Sequence, residues 1–316
     1  MRIVLSTILF LGCFLSLLTG AFANTLSLND ALRATYTACI GIDDELSELK
    51  QMAGINTAIT AVGTAAGAGA TITGLVKTSK DRKAEELESM LREIDELQSN
   101  AQPLTSAEFE KFLSEFNSVY KTQTSNVATI QEELDKTNRQ SKKLGNWRTG
   151  LMAGATATNV AGAIIASGNK VDGDLKSQID NCIASVATLR NSMMQARING
   201  EDISEAESIA AACGEYEYVD ISKINTKAKG SLVSSAIGAT TGLAGTVVSA
   251  TANTDKTRND NTDSGKKKEK SLNTTANVLA GATTVASATA TVFNATQISA
   301  IKKVATVAEK CSGVLK

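Results

Sequence analysis

Four long stretches of this 316-residue chain carry no charged side chain: residues 51–76, 149–169, 230–254 and 271–301. They are dominated by Ala, Gly, Thr and Ser, and they recur in pairs. Gly63 and Gly67 in the first stretch correspond to Gly238 and Gly242 in the third, with Val62 matching Ile237 and Ile72 matching Val247. Leu-Met-Ala-Gly-Ala-Thr at 151–156 corresponds to Val-Leu-Ala-Gly-Ala-Thr at 278–283, which aligns Gly154 with Gly281. The cysteines keep the same register: Cys39 and Cys213 each precede an opening stretch, and Cys182 and Cys311 each follow a closing one. Four segments and four cysteines in register indicate a tandem duplication.

Each half therefore reads as cysteine, small-residue helix, polar excursion, small-residue helix, cysteine. The fold class expected is all-α: two tandem antiparallel helical hairpins with close-packed Ala/Gly/Thr-rich helices, spanning residues 24–200 and 201–316. A single proline, Pro103, agrees with long helices, because proline removes a helix hydrogen bond and breaks the interior. The second excursion, 253–270, holds Gly265 and the Lys266–Lys267–Lys268 run and reads as a solvated turn.

The first excursion, 77–148, is much longer and has helical signals of its own. Ala84, Leu87, Leu91, Ile94 and Leu97 recur at helical steps among charged residues. Pro103 breaks the chain, Thr105 to Glu108 offers a capping-box restart, and Phe109, Phe112, Leu113, Phe116 and Tyr120 line the returning helix. The first hairpin is expected to carry a coiled-coil-like stalk, reaching roughly 80 to 90 Å at about 1.5 Å per residue. Trp147 and the phenylalanines read as stalk core.

Residues 1–23 read as a cleavable export signal: Arg2 supplies positive charge, Ile3 to Leu18 an apolar run, and Ala21-Phe22-Ala23 a small-x-small cleavage pattern. Cys13 fits a lipoprotein signal poorly. The expectation is a periplasmic or secreted bacterial protein. Four mature cysteines then form two disulfides. Three pairings are possible; the duplication favours Cys39 with Cys182 and Cys213 with Cys311, against a cross-half alternative of Cys39 with Cys213 and Cys182 with Cys311.

The net charge of -1 supplies no electrostatic reason to bind nucleic acid. No histidine is present, which removes the commonest general base and zinc ligand. No nucleophile elbow or phosphate-cradling loop is found either. The chain reads as a non-enzyme with no cofactor and no metal. Asp43, Asp44, Glu45 and Glu48 belong to a helix's first turn, and Asp172-Gly-Asp174 to a turn and cap.

Gly63, Gly67, Gly154, Gly238, Gly242 and Gly281 are the residues expected to let helices pack closely, since each interior glycine costs about 1 kcal/mol relative to alanine and needs a packing reason. Such spacing is familiar from membrane helix pairs. The few Leu, Ile, Val, Phe and Met residues per stretch favour insertion by at most about 3 kcal/mol, and Asn56, Asn159, Asn294, Gln297 and many Thr and Ser offset that gain. The preferred reading is an exported structural or interaction protein that meets an envelope or protein partner through the stalk, with self-association through the glycine faces as a further option. The alternative is a membrane-active protein inserting its glycine-rich hairpins.

Overall fold

A computed structural model of the protein describes residues 26–99, 114, 127–260 and 262–316. The export signal at 1–23 lies outside the described residues, as do Pro103, the capping box, and Phe109, Phe112, Leu113, Phe116 and Tyr120 of the returning stalk. The fold is all-α, with no strand among the described residues. In chain order the helices are α1 (Leu28–Cys39), α2 (Ile42–Ser99), α3 (Val127–Gly168), α4 (Gly173–Ile198), α5 (Ser204–Gly214), a 3₁₀ turn (Glu215–Tyr218), α6 (Ser222–Ala252), the single turn α7 (Asp255–Arg258) and α8 (Asp263–Leu315).

Local chemistry explains the ends. The Ser27 hydroxyl accepts from the Asp30 amide at 3.2 Å and opens α1, and Asp172 accepts from Leu175 at 2.8 Å and opens α4. Asp43, Asp44 and Glu45 occupy the first turn of α2, where the helix dipole favours anions. Gly200, at φ +78°, ends α4: its amide donates to Arg197 O and the Glu201 amide to Ala196 O, the two bonds of a Schellman cap. The lysine run is helical and not a turn. Thr262 Oγ1 accepts from Gly265 N at 3.0 Å and starts α8 ahead of Lys266.

The chain forms two compact units. One takes residues up to Gly54, Asn169–Ala228 and Ala295–Lys316; the other takes Ile55–Gly168 and Lys229–Asn294. Each draws on both sequence halves, so the boundary near residue 200 is not a boundary between compact units.

The first unit has an ordinary apolar interior. Ile42, Leu46, Ile179, Val186, Leu189, Ile224, Ile301 and Val304 are buried together with Cys39, Cys182, Cys213 and Cys311.

The second unit is a bundle of α2, α3, α6 and α8. Buried positions repeat at alternating steps of three and four: Asn56, Thr60, Gly63, Gly67, Ala70, Gly74 and Lys77 in α2, and Asn273, Ala276, Ala280, Thr283, Ser287, Ala290 and Asn294 in α8. This is the heptad seam of a coiled coil, filled with small and polar residues where aliphatic ones are usual. Beyond the uncharged segment of α2 the seam becomes conventional, with Ala84 and Leu87 packed on Ile130 and Leu134 of α3. That contact, and the Lys83–Glu133 bridge at 2.8 Å, realise the expected α2/α3 pairing of the stalk. Trp147 is not stalk core: it is 68% exposed.

Candidate functional site

The cysteines pair as Cys39–Cys182 and Cys213–Cys311, with Cα–Cα distances of 4.8 and 4.5 Å. Each bridge closes one sequence half. The sulfurs of Cys39, Cys182 and Cys311 lie within 4.8 Å of one another, so the two disulfides adjoin inside one core. Bridged and buried, these thiols are structural staples.

Four of the six nominated glycines make close helix contacts. A Cβ on Gly67 would lie 3.2 Å from Thr284 Cα and 3.3 Å from Thr284 N; one on Gly242 would lie 2.5 Å from Thr156 Oγ1 and 3.3 Å from its Cα. Gly63 faces Thr158 and Ser287, and Gly238 faces Asn159. Gly67 and Gly242 thus each dock on the closing helix of the other half, which interlocks the two hairpins across the duplication. Gly154 and Gly281 do not pack: nothing lies within 4 Å of a Cβ built on either. Their neighbours Ala155 and Ala280 occupy the seam in their stead. Gly162, Gly230 and Gly245 are close-approach positions not singled out by spacing, facing Thr60, Phe293 and Met152 respectively.

The second unit's polarity is inverted. Every exposed residue from Ile55 to Val76 is Ala, Val, Ile or Leu, and every one from Gly150 to Ile164 is Gly, Ala, Val or Ile. In α6 and α8, Val233, Ile237, Leu243, Val247, Val278, Val285 and Val292 point outward, each more than half exposed. The exposed polar residues among them, over 233–250 and 276–294, are Thr240 and Thr289. Their hydroxyls donate to the Ala236 and Val285 carbonyls of their own helices.

The interior is a hydrogen-bonded lattice. Asn56 Nδ2 donates to Asn294 Oδ1 at 3.1 Å, and Asn294 Nδ2 to Thr60 Oγ1 at 3.2 Å. Asn159 Nδ2 donates to Ser287 Oγ at 2.8 Å, and the Thr241 and Thr283 hydroxyls meet at 3.0 Å. Asn56, Asn159 and Asn294, which sequence composition sets against membrane insertion, are thus turned inward, and the Thr hydroxyls around them bond across the bundle or to carbonyls of their own helix; Ser231 Oγ and Ser235 Oγ are buried without a hydrogen-bond partner among the described residues. An apolar plug of Ala70, Met152 and Ala280 interrupts the lattice.

Where the uncharged segments end, the seam turns ionic. Lys77 is fully buried and pairs with Asp81 at 2.5 Å, with Glu269 at 3.8 Å. Burial pushes the Lys77 ammonium below the ordinary lysine range against the pull of Asp81, and raises the Glu269 carboxyl against the pull of Lys77. Arg148, also fully buried, donates to Ser249, Asn277 and Asn273 at 2.8, 3.0 and 2.9 Å. Beside this layer lies a cavity of about 540 Å³ lined by charged side chains.

No family model, curated protein or solved structure matches this chain.

Proposed function

We propose that the protein is a membrane-inserted, non-enzymatic anchor whose four uncharged helical segments form a lipid-facing bundle and whose disulfide-stapled unit is presented on the exported side. The observation that carries this reading is the inverted polarity of the second unit. In water, aliphatic side chains are buried and Asn and Ser are exposed. Contiguous outward rows of Val, Ile and Leu mark a surface meant for an apolar phase. A bilayer reverses the preference: lipid replaces water outside, while small residues and interhelical hydrogen bonds hold the helices together inside.

Lengths agree. A hydrocarbon core of about 30 Å needs about 20 helical residues, and four helices among the described residues are long and apolar enough to cross a membrane. Trp147 sits exposed beside Arg148, where an amphipathic ring suits the headgroup boundary. With four crossings, the segments containing the four cysteines fall on one side by parity. Disulfides require that side to be oxidising. The stretch from the end of α6 into the first turns of α8 carries Lys256, Arg258, Lys266, Lys267, Lys268 and Lys270, and positive charge so close to short crossings favours the cytoplasmic side. The proposed export signal points the same way.

Membrane fractionation of the full chain, followed by flotation with liposomes, tests the proposal. Retention in the pellet through alkaline carbonate and co-flotation of the purified chain are expected. Release into the aqueous phase without detergent, with the chain staying at the bottom of the gradient, overturns it in favour of a soluble exported interaction protein.

A further inference from the structure

We propose that the charged cavity of the second unit binds a phosphate-bearing anion. The cavity, about 540 Å³, falls within the size range of small-ligand sites, about 300 to 1,000 Å³. Its charge is unbalanced once internal ion pairs are removed. Asp255 is taken by Lys142 at 2.7 Å and Glu88 by Lys266 at 2.6 Å, while the one charge of the buried Lys77 is shared between Asp81 and Glu269 and offsets only one of the two. Of the acidic lining residues only Glu85 is left without an ion pair among the described residues.

Four lining cations are left over: Arg82, Arg139, Arg258 and Lys270 have no ion pair among the described residues. Arg258 is the most constrained of them. Its Nη2 donates to Asn138 O at 3.1 Å and its Nη1 to Ser141 Oγ at 3.3 Å, neutral acceptors that hold the guanidinium in place, while Asp255 and Glu269 lie near enough to feel its charge without forming an ion pair with it. Behind the wall, fully buried Arg148 meets only Ser249, Asn273 and Asn277 through its direct hydrogen bonds. The positive excess is therefore built into the scaffold. Guanidinium forks recognise phosphate oxygens, and the Asn259 side-chain amide offers a further donor on the wall.

Phosphate oxygens could come from a soluble phosphate ester or from a lipid headgroup. Thr78 lies two residues beyond one uncharged segment and Thr274 in the first turn of another, so on the membrane reading the cavity opens at headgroup depth. The lipid source rests on that reading; the anion site does not.

The test uses the full chain purified in a neutral detergent. Pyrophosphate binding is measured by titration calorimetry. In parallel, the chain is reconstituted in nanodiscs of phosphatidylcholine alone or with phosphatidylglycerol, and the anionic lipid retained after extraction is quantified. Variants are Arg258→Gln, Arg139→Gln and, as a control away from the lining, Lys143→Gln. Pyrophosphate binding that weakens by roughly tenfold or more in R258Q and R139Q but not in K143Q supports the site with a soluble source, the loss matching one charge-assisted hydrogen bond. Phosphatidylglycerol retention lost in the same two variants supports the lipid source. R139Q alters an exposed side chain, so it reports even if R258Q fails to fold. Equal binding and retention across all variants, or none in the parent chain, overturns the proposal. Failed membrane insertion with intact pyrophosphate binding leaves the site standing and removes only the lipid source.

Discussion

At the residue scale, Gly67 and Gly154 make opposite predictions from the same substitution. A methyl group on Gly67 meets the backbone of Thr284 at 3.2 Å, which cannot swing aside, so Gly67→Ala overpacks the seam. The expected loss is about 1–3 kcal/mol, partly offset by better helix propensity. Gly154→Ala meets open space and gains up to about 1 kcal/mol. Thermal unfolding of the two variants checks the contrast, and equal shifts would contradict it. Spacing could not separate these glycines: Gly63 and Gly67 share a face at four residues, as do Gly150 and Gly154. Four-residue spacing says that two glycines lie on one face, not which face is inside. Glu269 adds a pH signature. Its folded carboxyl titrates above the ordinary 4.5, so between that value and its raised one the folded state binds more protons than the unfolded chain. Its contribution is full below 4.5 and lost as pH rises through the raised value. Glu269→Gln stays neutral, so its unfolding midpoint, compared with the parent's from about pH 4 to pH 7, gains on it as pH increases. Parallel curves would show that Glu269 does not titrate this way.

At the element scale, what decides the function is which face of each helix looks outward. Helix existence was legible: a single proline, uncharged stretches and matched repeats locate α2, α3, α6 and α8, but not their ends, since the first turns of α8 read as a solvated turn. The orientation was not. Val278, Val285 and Val292 repeat every seven residues, the same period as the buried Ala276, Thr283 and Ala290. Two stripes of one period, one aliphatic and one polar, look alike to a periodicity argument, and the usual assumption buries the wrong one. Val62 and Val285 test the assignment, because both lie near the middle of their segments and are 60% and 66% exposed. In water, Val62→Lys and Val285→Lys are surface changes worth within about 0.5 kcal/mol. In a bilayer each costs about 2.5–3.5 kcal/mol at mid-depth, so insertion and yield in the membrane fraction fall sharply. Unchanged insertion of both variants would exclude a lipid-facing surface there. On the inner face, a double-mutant cycle on Asn159→Ala and Ser287→Ala isolates their pair, whose bonds are 2.8 and 3.1 Å. The expected coupling is about 0.6 kcal/mol and no more than about 1.7, the range for hydrogen bonds between membrane helices.

At the scale of the whole molecule, the duplication fixes the covalent frame. Cysteine register alone favoured the pairing found, since each bridge joins the ends of one half; the docking of Gly67 on Thr284 and Gly242 on Thr156 had no such signal, because contacts between halves leave no trace in the order of residues. The bridges close loops with sequence separations of 143 and 98. Loops of this size contribute up to about 4–5 kcal/mol each in the chain-entropy account. Paired serine variants of either bridge should therefore lower the unfolding midpoint markedly. The same frame constrains topology. The four proposed crossings would return the chain to its starting side, so the bridged segments would share one compartment while residues 77–99, 127–148 and 255–270 would share the other. On that proposal the disulfides call for an oxidising, exported first compartment, and the lysines between the end of α6 and the first turns of α8 favour a cytoplasmic second one. Single reactive cysteines at exposed Ser177 and Lys143 separate these sides. On intact cells, a membrane-impermeant maleimide should label the Ser177→Cys chain and leave Lys143→Cys untouched until the membrane is opened. Labelling of both on intact cells would mean that the chain does not cross the bilayer. Labelling of Lys143→Cys alone would invert the topology and leave the disulfides in a reducing compartment, where bridges of this kind do not persist.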